Sequence, residues 1–353
     1  MLRYQTNRPS LSRFLTIVLL IGAFIAGSTR MLLAQNPGVV TIANPGQYDK
    51  VAAISDVHGM YGNLVKLLAA GKIIDQNKKW TAGKLLLIVV GDSIDKGSQS
   101  LDVLQLWMDL QSQAKEQQGR VIVLLGNHEA EYLAHPKLPQ PPDHDKAEKL
   151  HAELIKAGFK PESLADPQFE YHAHTLGLFI RNMPVAARVG NYLFCHAGWM
   201  PDVTWDAFSA KCKSVMSQGK YGDDFLIGFD SVLENKFGTQ TSQEVKAAGT
   251  DAKKWWKRDK DVERLEKRLT NAGLAGVIFG HQPKAFGLKD DVGPYNNSDY
   301  HLIKIDSGMA PAGGEDGADS GGNSGHYLLE TLPAMFMGNF DPKYVRSVGI
   351  NAH

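Results

Sequence analysis

The sequence predicts an α/β fold whose strands run parallel and are joined by helices, and three observations carry that prediction. Short apolar runs recur at residues 51–55, 85–90 and 121–125, bounded by polar residues as buried strands are. The segments between them show helical apolar spacing, with Leu64, Leu67 and Leu68 in one and Leu101, Leu104, Trp107 and Leu110 in the other. Strand, helix, strand, helix, strand is the order of a parallel sheet with helical crossovers. At 353 residues, 43% hydrophobic and 22% charged, the chain has the makeup of a globular protein and room for one large α/β domain with insertions or for two ordinary domains.

Residues 1–35 stand apart from the rest. Arg3, Arg8 and Arg13 flank an apolar run at 14–26, and small residues follow at Ala26, Gly27, Ser28 and Ala34. That is the layout of a secretory signal peptide, with cleavage expected after Ala34. The run is shorter than the roughly 20 residues of a spanning helix. An uncleaved membrane anchor is the alternative, because Met31, Leu32 and Leu33 extend the run beyond Arg30. The protein is therefore expected to be exported, periplasmic or secreted, and to meet a membrane only if this segment is retained.

Residues 36–353 read as a single domain with two excursions. A Pro- and Gly-containing lead-in covers 36–47, and a helix at 63–70 follows the first strand. A long helix through Gln118 follows the second strand, and Ser98 or Ser100 is the expected cap. An insertion at 134–182 opens with the Pro-rich stretch from Pro136 to Pro142 and contains a helix near 147–157. Strands at 185–189 and 192–195 flank Gly190-Asn191, a dipeptide suited to a tight hairpin. A second, largely helical insertion spans 200–250. A charged helix at 261–270, a strand at 276–279, and late strands at 301–305 and 327–329 complete the chain, with a Gly- and Asp-rich linker at 312–325.

The formal net charge is zero, so there is no basic excess of the kind nucleic-acid binders carry. A small anionic substrate stays compatible with that balance when a metal supplies the positive charge. Of the two cysteines, Cys195 sits in an apolar run and reads as a small buried hydrophobe. A disulfide to Cys212 is conceivable in an exported protein.

Metal-ligating residue types recur where the predicted strands end. The first strand runs into Asp56-Val57-His58-Gly59 and the second into Gly91-Asp92-Ser93-Ile94-Asp95-Lys96-Gly97. The third runs into Gly126-Asn127-His128-Glu129, and two later strands end at His196-Ala197-Gly198 and Gly280-His281. Strand ends of an α/β sheet open into one crevice, where such residues can meet. A pair of divalent ions about 3.5–4 Å apart needs roughly six protein ligands and solvent, and a carboxylate can bridge them. Imidazole suits Mn, Fe and Zn, so a mixture of Asp, Asn and His points to a hydrolytic transition-metal site. Any one of these fragments alone is commonplace; the ordered set, each after an apolar run, is not.

That ordered set resembles the calcineurin-like metallophosphatases, and within them the phosphoprotein phosphatase branch with its Gly-Asp-x-His-Gly, Gly-Asp-x-Val-Asp-Arg-Gly and Gly-Asn-His-Glu motifs. The resemblance runs from about Val51 to about Thr331 and implies a two-sheet sandwich flanked by helices. It implies that Asp56, His58 and Asp92 hold one metal, and that Asp92 bridges to a second completed by Asn127, His196 and His281. His128, paired with Asp95, becomes the general acid. A hydroxide bridging the metals would attack phosphorus directly, with no covalent intermediate. Ser55 replaces a motif glycine, Lys96 replaces arginine, Ala197 stands where glycine is frequent, and Glu131 occupies a position that is arginine in eukaryotic members. These departures resemble the bacterial-type Shewanella-like phosphatases, in which the segment matching Trp255 to Asp259 makes Arg258 a candidate phosphate ligand beside Lys96 and Asn127. The expected substrates are phosphorylated proteins or peptides and small phosphoesters, through phosphotyrosine or phosphoserine/threonine. Diadenosine tetraphosphate hydrolases, nucleotidases and phosphodiesterases share the motifs and form the alternative. A catalytically inert metal-binding module is a third possibility.

Overall fold

The protein is described here by a computed structural model at residues 36–137, 147–228, 231–235, 259–282, 293–294, 301–306, 309 and 328–331. Strands β2 (Lys50–Ile54), β3 (Leu85–Val89) and β4 (Arg120–Val123) pair in parallel, as their apolar runs predict. A further strand, Leu328–Thr331, pairs antiparallel with β2 at the edge of this four-stranded sheet. The second sheet has six strands. It includes β1 (Val39–Ile42), β5 (Ala186–Val189), β6 (Tyr192–Cys195), β7 (Gly276–Phe279) and a strand at His301–Lys304.

The two-residue period of each strand explains why two sheets form. Val51, Ala53, Leu86, Ile88 and Ile122 join Val189, Tyr192, Phe194, Ile278 and Ile303 in one apolar layer between the sheets. Their alternates, such as Ala52, Ile54, Leu87, Val123, Leu193 and Val277, belong to the core that contains the helices. On one side these are α1 (Tyr61–Ala70), which buries Leu64, Leu67 and Leu68, and α2 (Ser100–Glu116), which buries Leu101, Leu104, Trp107 and Leu110. Each such leucine withdrawn from water contributes about 1.5–3 kcal/mol. The two-sheet sandwich flanked by helices is thus the architecture observed.

Three elements differ from expectation. Residues 39–42 lie in the expected lead-in but form an edge strand parallel to β5, anchored by Asn36, whose side chain donates to Arg181 O and Met183 O. Four residues in a Pro/Gly context carry too little periodicity to be seen alone. A helix, α3 (Asn127–Ala134), begins inside the Gly-Asn-His-Glu motif, where the sequence suggested only a strand end. The start of α2 is not capped by Ser98 or Ser100. Glu153, from helix α4 (Glu148–Lys156) of the first insertion, accepts from Ser100 N at 2.7 Å and Leu101 N at 3.0 Å. The Gly190 hairpin forms as expected, with Gly190 at φ 59° between antiparallel β5 and β6.

Cys195 and Cys212 are both buried free thiols, and burial pushes the Cys195 thiol up to about 12. Among the described residues, no helix is long and apolar enough to cross a membrane. The segment 1–35, the stretch containing Arg258 and the 312–325 linker lie outside the described residues.

Candidate metal centre

Five loops meet at the C-terminal ends of β2, β3, β4, β6 and β7, and backbone hydrogen bonds lace them together. His58 N donates to Asp92 O at 2.8 Å, Gly97 N to His58 O at 2.8 Å, and Gly280 N to His196 O at 2.9 Å. The turns are tight enough that Asp56, His58, Asp92, Asp95, Lys96 and His281 all take positive φ. Non-glycine residues there cost on the order of 1–3 kcal/mol each and persist only where the surroundings hold them. Gly126 answers a different need: a side chain there would strike the Asp92 carboxylate and backbone.

Asp92 is the centre. Its Oδ2 lies 3.2 Å from His196 Nε2, 3.5 Å from His58 Nε2 and 4.0 Å from His128 Nε2, while Oδ1 accepts from His128 N at 3.1 Å. Two groups able to hold an ion share it, His58–Asp92–His128 and Asp92–His196–His281. Asn127 Oδ1 sits 2.9 Å from His196 Nε2. Asp56 lies at the rim of the first group, 3.7 Å from His58 Nε2, with its carboxylate accepting from His281 N at 2.9 Å. Every predicted metal ligand is therefore in one place.

The donor set fits metal ions on a specific feature of the rings. His58 Nδ1 faces Ile94 O at 3.2 Å and His196 Nδ1 faces Val90 O at 2.9 Å. A ring that donates Nδ1–H to a carbonyl presents Nε2 outward, which is how protein imidazoles are oriented toward metals. The electrostatics agree. Burial and then the Lys96 ammonium push the His58 ring well below its ordinary value, leaving it neutral. Burial opposes a charge on His196, but the Asp92 carboxylate outweighs it and raises the ring to about 10. The Asp92 carboxylate thus directs negative charge at the imidazoles around it.

His128 belongs to the first of those groups and also has a carboxylate behind its ring. Its Nδ1 faces Asp95 Oδ2 at 3.2 Å, and its ring lies edge-on to His58 with centroids 4.8 Å apart. Burial works against its charged form, yet Asp92 and Asp95 raise it above the usual histidine value. Lys96 reaches the site too, its Nζ 2.6 Å from His58 Nε2.

Three glutamates that the sequence reading gave no role of their own support these groups. Glu129 accepts from Asp92 N, Ser93 N, Ile94 N and Gly126 N at 2.7–3.1 Å, binding the second and third loops together. Its spacing three residues into α3, the position from which a side chain reaches back over the helix start, was the available signal. Glu234 accepts from Asn127 Nδ2 at 3.0 Å and so fixes which way that amide faces. Glu153 was described above. Glu234 and Glu153 lie in the insertions, where no pattern marks them.

A two-sheet sandwich carrying paired ion-holding clusters at its strand ends defines a metallophosphoesterase architecture. The chain belongs to the calcineurin-like phosphoesterase family, whose model matches residues 49–285. It is similar to Shewanella-like protein phosphatase 1 of Plasmodium berghei (strain Anka), 29% identical over 155 residues, 42% of this chain and 39% of that protein. It is also similar to the symmetrical bis(5'-nucleosyl)-tetraphosphatase of Shewanella frigidimarina (strain NCIMB 400), 34% identical over 98 residues, 28% of this chain and 31% of that protein. The chain thus matches less than half the length of these relatives. Its fold is that of the cold-active protein-tyrosine phosphatase of a psychrophile Shewanella sp., with a TM-score of 0.55, 21% identity, and 85% and 80% of the two chains covered.

Proposed function

We propose that the protein is an exported, metal-dependent phosphomonoesterase acting on phosphorylated proteins, its catalytic domain being residues 36–353. The observation that carries this is a cluster of His and Asp side chains able to hold cations, centred on Asp92, in which His128 turns its Nδ1 toward Asp95 Oδ2 at 3.2 Å. The names of the phosphatase relatives favour a phosphoprotein over other phosphoesters. Asp56, His58 and Asp92 would hold one ion, and Asp92, Asn127, His196 and His281 a second, of Mn, Fe or Zn. When bound, such ions supply Lewis-acid charge and make coordinated water acidic near neutral pH.

The chain's own groups do the rest. His128 holds a proton on Nε2, kept there by Asp95 behind Nδ1, and passes it to the departing oxygen. Lys96, Asn127 and Arg258 are proposed to contact phosphoryl oxygens, a role that the nearness of Lys96 Nζ to His58 Nε2, 2.6 Å, supports for Lys96. His128→Asn is expected to keep the metals and lower kcat by about 10²–10⁴-fold, the usual worth of a positioned acid. Metal analysis beside steady-state rates checks it; a full rate would remove His128 from the chemistry.

Hydrolysis of p-nitrophenyl phosphate by metal-stripped protein, with and without added Mn, Fe or Zn, tests the function. Phosphotyrosine and phosphoserine peptides would then be compared with diadenosine tetraphosphate, since the tetraphosphatase relative makes a dinucleotide the second candidate. Metal uptake is itself testable. With its ring raised to about 10, His196 is protonated through the neutral range in metal-stripped protein. Loading must displace that proton, so apparent affinity is expected to weaken roughly tenfold for each unit the pH falls. Calorimetry in buffers of different ionisation heat would detect it; uptake without proton release would contradict it. Export is tested by N-terminal sequencing of the mature protein, which should begin near residue 35.

A further inference from the structure

Helices α2 and α4 each lack a side-chain cap of their own. Each is capped instead by a carboxylate tied to the other. Asp95, five residues before the start of α2, accepts from Lys149 N at 3.0 Å and Leu150 N at 3.3 Å in the first turn of α4. Glu153, one turn further along α4, accepts from the first two amides of α2, Ser100 N and Leu101 N. Ser100 Oγ closes the ring by accepting from Asp95 N at 3.1 Å. Both carboxylates sit at helix N-termini, where the unsatisfied N–H groups and the axial dipole favour negative charge.

The consequence falls on the proton donor. Asp95 spends one oxygen on α4 and the other on His128 Nδ1. Lys149 and Leu150 therefore fix the carboxylate that fixes the imidazole. We infer that α4, in the 134–182 insertion, is a positioning element for the general acid, and that Glu153 is the positioning residue locking it in place. This rests on His128 acting as that acid. Helix α4 then serves the chemistry through Asp95.

Leaving groups of different basicity separate this role from a merely structural one. Phenoxide needs protonation far more than p-nitrophenoxide does. In the full chain, Glu153→Ala is expected to lower kcat on phenyl phosphate by roughly 10–100-fold, the range for partners that orient active-site groups. On p-nitrophenyl phosphate the loss should be about threefold or less. KM and metal content should not change. Glu153→Gln, which keeps one acceptor oxygen, should fall between and guards against a variant that fails to fold. In a His128→Asn background, Glu153→Ala should add no further loss. Hydrogen exchange at the Lys149 and Leu150 amides should quicken in Glu153→Ala.

Equal losses on both substrates, additivity with His128→Asn, or unchanged exchange would each overturn the inference. A full phenyl phosphate rate in His128→Asn alone would remove the acid itself and the inference with it. That failure is distinguishable, because the exchange rates report the helix link without any turnover.

Discussion

Asp92→Asn is expected to lose both metal groups and at least about 10³-fold in kcat. The substitution keeps the side-chain shape, and its oxygen can still accept from His128 N, so the fold has no reason to change. What disappears is the charge that Asp92 Oδ2 directs at His58, His128 and His196. Burial alone would raise the Asp92 carboxyl, yet the charges of His196 and then His128 hold it well below the usual carboxylate range. Bound ions supply several kcal/mol of charge stabilisation, and each 1.36 kcal/mol lost is tenfold in rate, which sets the 10³ figure. Metal content by mass spectrometry, beside kcat on p-nitrophenyl phosphate, decides it. A variant with two ions and ordinary turnover would show that the centre is not where Asp92 is.

Glu129→Ala should act on stability before it acts on rate. Four buried backbone donors, from Gly126, Asp92, Ser93 and Ile94, converge on this one carboxylate. An unpaired buried N–H costs about 1–3 kcal/mol, so the loss amounts to several kcal/mol. Total domain stability is only about 5–15 kcal/mol. The loops carrying Asp92 and Asn127 would also come apart from each other, and metal affinity would fall with the fold. Urea melts with and without added metal measure both effects. An unchanged midpoint would mean that water or a shifted loop had replaced the carboxylate.

The candidate metal ligands were legible because each lies just beyond a largely apolar strand. Strands buried on both faces read as continuous runs, so a sudden Asp, Asn or His marks the point where the chain leaves the sheet. That logic located Asp56, Asp92, Asn127, His196 and His281 together. It could not locate Glu153 or Glu234, because a carboxylate reaching a loop from an insertion leaves no period in the sequence. The cap of α2 was misplaced for the same reason: local rules point to Ser98 or Ser100, while tertiary contact supplied a residue 53 positions away. Residues 39–42 show the complementary failure, an edge strand whose partner, not its own pattern, makes it a strand.

The hydrogen bond from His281 N to Asp56 joins residues 225 positions apart. Contacts of such separation form late, because the entropy of closing a long loop must be met before they contribute. The centre is consequently complete only once the segments carrying Asp56 and His281 have met. Ions that bind only there add their binding free energy to the folded state alone, by mass action. They would slow unfolding in proportion to how little of the site exists in the transition state. Metal supply would then set the lifetime of the folded protein as well as its rate of turnover.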